Sequence, residues 1–132
     1  MQKSPFISLN QSLILLRITT AALFLAHAVI RITGGTIDRF GGFLDSKGLM
    51  IGTPIVWAIT AYEIIGGILL CLGYFTKWLC AGFILLLIVG IILIHAANGW
   101  FVGEHGSGGI EYSFALIIAF VVIAAAANKK RY

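Results

Sequence analysis

Charge is what this chain has least of. Asp, Glu, Lys and Arg make up 11% of its 132 residues, against about 25% in a typical soluble domain, while 60% are hydrophobic. With a mean hydropathy of +1.03, that scarcity excludes a water-soluble globular domain. Cysteine occurs only at Cys71 and Cys80, flanking the "LGYFTKW" turn near the face assigned below to a reducing cytosol, so both read as small packing residues and not as a disulfide. There is no Glu-x-x-His helix motif and no Cys-x-x-Cys-His motif, so neither a carboxylate-bridged metal bundle nor an attached haem is supported. No metal ligand set is assigned, and no intrinsic cofactor is evident. Phosphate-binding loops, nucleophile elbows, solenoid repeats and low-complexity tracts are missing as well.

What is present is apolar sequence in four long stretches, about 12–32, 54–73, 78–97 and 110–127, each near the ~20 residues that cross a bilayer as helix. The connections leave no room for a soluble domain. The expected fold is therefore all-α, a four-helix transmembrane bundle occupying residues 1–132 as a single integral membrane domain. The first stretch is not read as a cleaved signal peptide, because Arg17 interrupts it and it is too long for a signal core.

Four spans place both termini on one side. Lys3, Lys77, Lys129, Lys130 and Arg131 gather there and mark that side as cytoplasmic. Arg31, Arg39 and Lys47 on the opposite side are offset by Asp38, Asp45, Glu104 and Glu111. The net charge of +4 then reflects topology and anionic lipid, and nucleic acid is not an expected partner.

Local signals punctuate the second stretch best: Thr53 can cap it, Pro54 suits its first position and Gly73 can end it. Gly66, Gly67, Gly82 and Gly90 read as small residues that let helices approach closely. The glycine-rich connection from Gly34 to Thr53 reads as a lid with Phe40, Phe43 and Leu49 at the interface. In the connection from Asn98 to Gly109, Trp100 reads as an interfacial anchor, and His105 is given no function.

Glu63 stands in the middle of "WAITAYEIIGGILL", nine residues past Pro54 and hence ~13 Å along the helix, close to the midplane. An ionisable group at that depth faces the bundle interior or a wet cavity. On the first span Arg17, Thr20, Phe24, His27 and Arg31 fall on one stripe at ~100° per residue. Side chains lean toward their helix N-terminus, so Glu63 leans outward while His27 and Arg31 on the antiparallel first span lean toward it. Arg17 leans the other way and reads as a structural or ion-pairing residue. His95 and Asn98 end the third span, and Glu111 opens the fourth, where the helix dipole favours a carboxylate. The expectation is one polar pocket in the outer half, with Glu63 and His27 as catalytic candidates and Arg31, His95, Asn98 and Glu111 as substrate-binding candidates. The competing reading, a buried ion pair that fixes helix register, stays open.

The runs "RITTAALFLAHAVIR" (Arg17 to Arg31), "GGF" at Gly41, "EIIGG" at Glu63, "LGYFTKW", His95, "GWF" and "GIEY" closely resemble the DoxX family over nearly the whole chain. The resemblance implies a multi-pass protein of the bacterial inner (plasma) membrane. The family's His-Gly-x-x-Lys pattern is carried by His27, Ala28 and Arg31, so the cationic position persists as a permanently charged arginine. The family's glycine-rich ending is replaced by "AAAANKKRY".

Some family members are membrane subunits of oxidoreductases, including thiosulfate:quinone oxidoreductase, and distant relatives resemble assembly chaperones, so family alone does not fix a reaction. The leading expectation is a small membrane subunit of a redox system whose pocket binds a quinone or similar amphiphile. In it, Arg31 and a histidine donate to a quinone oxygen and Glu63 or Glu111 takes a proton. The electron carrier then belongs to a partner redox protein, and a homodimer is compatible with so small a bundle. The other expectation is a non-catalytic chaperone or scaffold for membrane proteins, with the charged cluster as its lock.

Overall fold

The computed structural model describes residues 6–103 and 108–127. Lys3, Glu104, His105 and the basic ending with Lys129, Lys130 and Arg131 lie outside the described residues. Among the described residues the chain is all-helical: α1 (Leu9–Thr33), α2 (Ile37–Ser46), α3 (Gly52–Leu72), α4 (Thr76–Gly90) and α5 (Glu111–Ala127). A π turn, Ile91–His95, and a 3-10 turn, Ala96–Asn98, prolong α4. Three segments are long and apolar enough to cross a membrane: Leu9–Thr33, Gly52–Leu72 and Thr76–Asn98. The expected fourth span is a shorter apolar helix of 17 residues, ~26 Å at 1.5 Å per residue.

The chain divides into two compact units, Ala21–Tyr74 and the remainder. In the first, α3 buries Val56, Thr60, Glu63, Gly66, Gly67 and Leu70, a run of three- and four-residue steps that lines one helical face. A Cβ on Gly67 would stand 2.8 Å from Leu25 Cγ of α1, so that glycine is the room Leu25 occupies. Gly73 ends α3 at φ 84°, with its N–H and that of Tyr74 donating to Leu70 and Leu69 carbonyls. That stop agrees with expectation.

The connection from Gly34 to Thr53 is helical over half of its length. It contains α2, whose Ile37, Gly41 and Leu44 are buried at positions i, i+4 and i+7, while Asp38, Arg39, Asp45 and Ser46 are exposed. Two adjacent glycines weaken helix propensity and hide this periodicity. Gly41 is required where α2 meets the start of α3, because a Cβ there would overlap the backbone and hydroxyl of Thr53; one on Gly52 would overlap the Gly41 carbonyl. Gly42 faces open space.

The start of α3 also differs from expectation. It begins at Gly52, two residues before Pro54, and its N-cap, Ile51, makes no side-chain bond. Asp45 on α2 does that work from across the turn, accepting the Gly52 N–H on Oδ1 at 2.7 Å, and Pro54 still falls in the first turn, where a missing N–H is harmless.

In the second unit α1 starts at Leu9, not Ser12. Ser8 and Gln11 bond reciprocally, the Ser8 N–H to Gln11 Oε1 at 2.9 Å and the Gln11 N–H to Ser8 Oγ at 3.2 Å, a capping box that adds a turn ahead of the apolar run. Helices α4 and α5 pack through Cys80, Phe83 and Leu87 against Ser113, Leu116, Phe120 and Ile123. Phe83 and Phe120 stack with centroids 5.2 Å apart. Cys71 is half-buried and Cys80 buried, both as free thiols. Gly90 meets nothing closer than the His95 ring, 4.0 Å from a Cβ placed on it, so close helix approach does not explain that glycine.

Candidate functional site

Glu63 is 5% exposed because the face of α3 that carries it is the face that packs. Its companion is Arg31 in the last turn of α1, as the lean of the two side chains predicts. Arg31 Nη1 donates to Glu63 Oε2 at 3.0 Å and to Thr60 Oγ1 at 2.9 Å. Thr60, one turn before Glu63, passes its own proton to the Val56 carbonyl at 2.7 Å, so one guanidinium nitrogen meets two acceptors stacked on a single helix face. The Phe40 ring of α2 covers the guanidinium, its centroid 5.6 Å from Cζ, a cation–π arrangement.

The stacking continues outward along α2. Phe40 and Phe43 lie nearly parallel at 6.4 Å, and Lys47 Nζ sits 5.5 Å from the Phe43 centroid. Arg31, Thr36, Arg39, Phe40 and Phe43 line an open cleft of about 460 Å³. Arg31 therefore has two surroundings, the buried carboxylate on one side and the cleft on the other.

His27 sits differently from the expected stripe. Arg17, Thr20 and Phe24 are buried, but the buried line continues through Ala28, and His27 is exposed. The reason is angular: from Phe24, four residues lead round to Ala28 and three to His27, on opposite sides of the stripe's centre line.

The other candidates belong to the second unit. Arg17 is 6% exposed, and its carbonyl accepts the Thr20 hydroxyl at 3.1 Å. His95 closes the π turn with Nδ1 buried and without a hydrogen-bond partner among the described residues, near Gly108, where a Cβ would lie 3.9 Å away. Asn98 is exposed and donates weakly to the Ile94 carbonyl of its own helix at 3.5 Å. Glu111 Oε1 accepts the Val102 N–H at 2.8 Å, while backbone bonds from Ile110 to Gly99 and from Glu111 to Trp100 close the same loop. Trp100 packs on Phe114 at 5.5 Å. In this unit the carboxylate's visible work is to hold a loop.

Sequence reasoning passed over Thr60, Thr36 and Arg39. The signal for Thr60 is its three-residue spacing from Glu63; the cleft residues are obscured because adjacent glycines hide the helical periodicity of α2. Among the described residues, no group of three or more His, Cys, Asp or Glu side chains is placed to hold a metal.

The sequence pattern of the DoxX family matches residues 12–96, which takes in Arg17, His27, Arg31, Glu63 and His95. The chain belongs to the DoxX family. It is also similar to a Bacillus subtilis (strain 168) protein named "Putative oxidoreductase CatD", with 30% identity over 115 residues, covering 84% of this chain and 75% of that one. No solved structure matches significantly. Family membership and the long apolar helices make this DoxX protein a membrane protein.

Proposed function

We propose that this DoxX-family protein is a small subunit of a redox system in the bacterial inner membrane, a four-span bundle with both termini in the cytoplasm, and that it binds a quinone beside Glu63. The single observation that supports this reading most is the buried Arg31–Glu63 pair, a carboxylate held within a helix of membrane-crossing length. In this reading a lipid-soluble quinol arrives from the bilayer, and Glu63 is the acceptor for a proton. Oxidation of the quinol releases two protons and two electrons; Glu63 takes one proton, the exposed His27 imidazole passes the other to water, Arg31 orients the oxygens, and both electrons pass to a partner redox protein.

The test is quinone-dependent turnover in native membranes of wild type and Glu63→Gln at matched protein level. The substitution keeps the shape and an acceptor for Arg31 but cannot take the proton, so turnover falls by 10²-fold or more on the scale of general-base catalysis. Unchanged turnover ends the proposal.

A second reading is favoured by the completeness of the Arg31–Thr60–Glu63 bonding, which a pure lock in a chaperone or scaffold also requires. There Glu63→Gln lowers thermal stability and leaves partner activity per folded molecule intact.

A further inference from the structure

The cleft above Arg31 has a charge balance that a neutral quinone does not use. Its lining contains two arginines and no acidic side chain. Arg31 commits only Nη1 to Glu63 and Thr60, and its other guanidinium N–H groups make no hydrogen bond among the described residues. Arg39 is exposed and makes no hydrogen bond or ion pair among the described residues; its neighbour Asp38 is exposed and forms no ion pair there either. With one arginine matched by one carboxylate, the cleft keeps a net positive charge.

The remaining lining sharpens the chemistry. Thr36 precedes α2 and makes no capping bond with its hydroxyl, so the first-turn N–H groups of α2 stay open at the end of a helix that favours anions. Phe40 and Phe43 supply an apolar wall, and Phe43 is 36% exposed. The cleft lies where α2 joins the end of α1 to the start of α3, two helices of membrane-crossing length, so it falls at the depth of lipid headgroups.

We propose that this cleft binds the phosphate group of an anionic phospholipid. Arg39 and the uncommitted donors of Arg31 hold the phosphate oxygens, and Phe40 with Phe43 receives the glycerol and first methylenes. The Arg31 N–H groups that Glu63 and Thr60 leave unused thereby gain an exchangeable acceptor. This site shares Arg31 with the redox reading but needs no proton transfer at Glu63, so lipid binding and turnover are tested separately.

The full chain, purified in neutral detergent, is titrated with phosphatidylglycerol, phosphatidylcholine and inorganic phosphate, with thermal stability and lipid retention in native mass spectrometry as readouts. Phosphatidylglycerol raises stability and is retained, whereas phosphatidylcholine does neither. Arg39→Gln, at an exposed position that leaves the packing untouched, weakens phosphatidylglycerol binding roughly tenfold, the order of one charge-assisted hydrogen bond. Lys47→Gln, outside the lining, weakens it less. Equal responses to the two lipids, equal losses in the two variants, or inorganic phosphate as effective as phosphatidylglycerol would each overturn the proposal; the last would assign the cleft to a free anion.

Discussion

Replacing Glu63 by leucine leaves the Arg31 guanidinium with Thr60 as its only buried hydrogen-bond acceptor. The side chain of Arg31 is 16% exposed and that of Glu63 7%, so both charges were largely desolvated to form the pair. Breaking such a pair by removing one partner costs about 3–5 kcal/mol, because the survivor is buried and unmatched. The partial exposure of Arg31 and the Phe40 ring over it relieve some of that, which places Glu63→Leu near ~3 kcal/mol. Arg31→Met strands the more deeply buried carboxylate and falls toward the upper end, ~4–5 kcal/mol. The double change removes both charges and leaves only the Thr60 hydroxyl, which keeps its bond to Val56. Its expected cost is below ~1 kcal/mol, since apolar replacement of a complete buried pair is often neutral. The assay is reversible unfolding of the four proteins in mixed micelles, arranged as a double-mutant cycle. The expected coupling is several kcal/mol. Single-mutant losses that simply add would show that the two side chains do not depend on each other and would refute the reasoning.

Two further perturbations probe how α2 is fixed. Gly41→Ala pushes a methyl into the Thr53 backbone and should cost about 1–3 kcal/mol by overpacking, whereas Gly42→Ala, in open space one residue later, should stabilise by about 0.5–1 kcal/mol through helix propensity; the reverse order in thermal unfolding would contradict the close α2–α3 approach. Asp45→Ala removes the acceptor of the Gly52 N–H and should lower stability by about 1 kcal/mol, with faster amide exchange at Gly52 than at Val56; protected exchange at Gly52 would show that Asp45 is not the cap.

Glu63 was legible as a buried group because a carboxylate in the middle of a long apolar run has few tolerable surroundings. Its companion was legible from direction: side chains on antiparallel helices that lean toward each other's depth narrow the choice to His27 and Arg31. What separated those two was invisible in the pattern. A stripe drawn at 100° per residue admits both His27 and Ala28, and only the packed chain shows Ala28 turned inward and His27 outward. The Ser8–Gln11 box is the opposite case, a motif present in the letters just ahead of the apolar run, where it starts the helix earlier than hydrophobicity alone indicates.

By itself, then, the sequence determined that the chain is helical and membrane-bound and that Glu63 must be matched, since these follow from composition, periodicity and the cost of a bare charge in hydrocarbon. Tertiary structure decided which cation matches it, made a helix of the segment after Gly34, and brought Asp45, Gly41 and Gly52 together where α2 and α3 touch. Those outcomes depend on contacts between residues far apart along the chain, and no local pattern of letters carries that information.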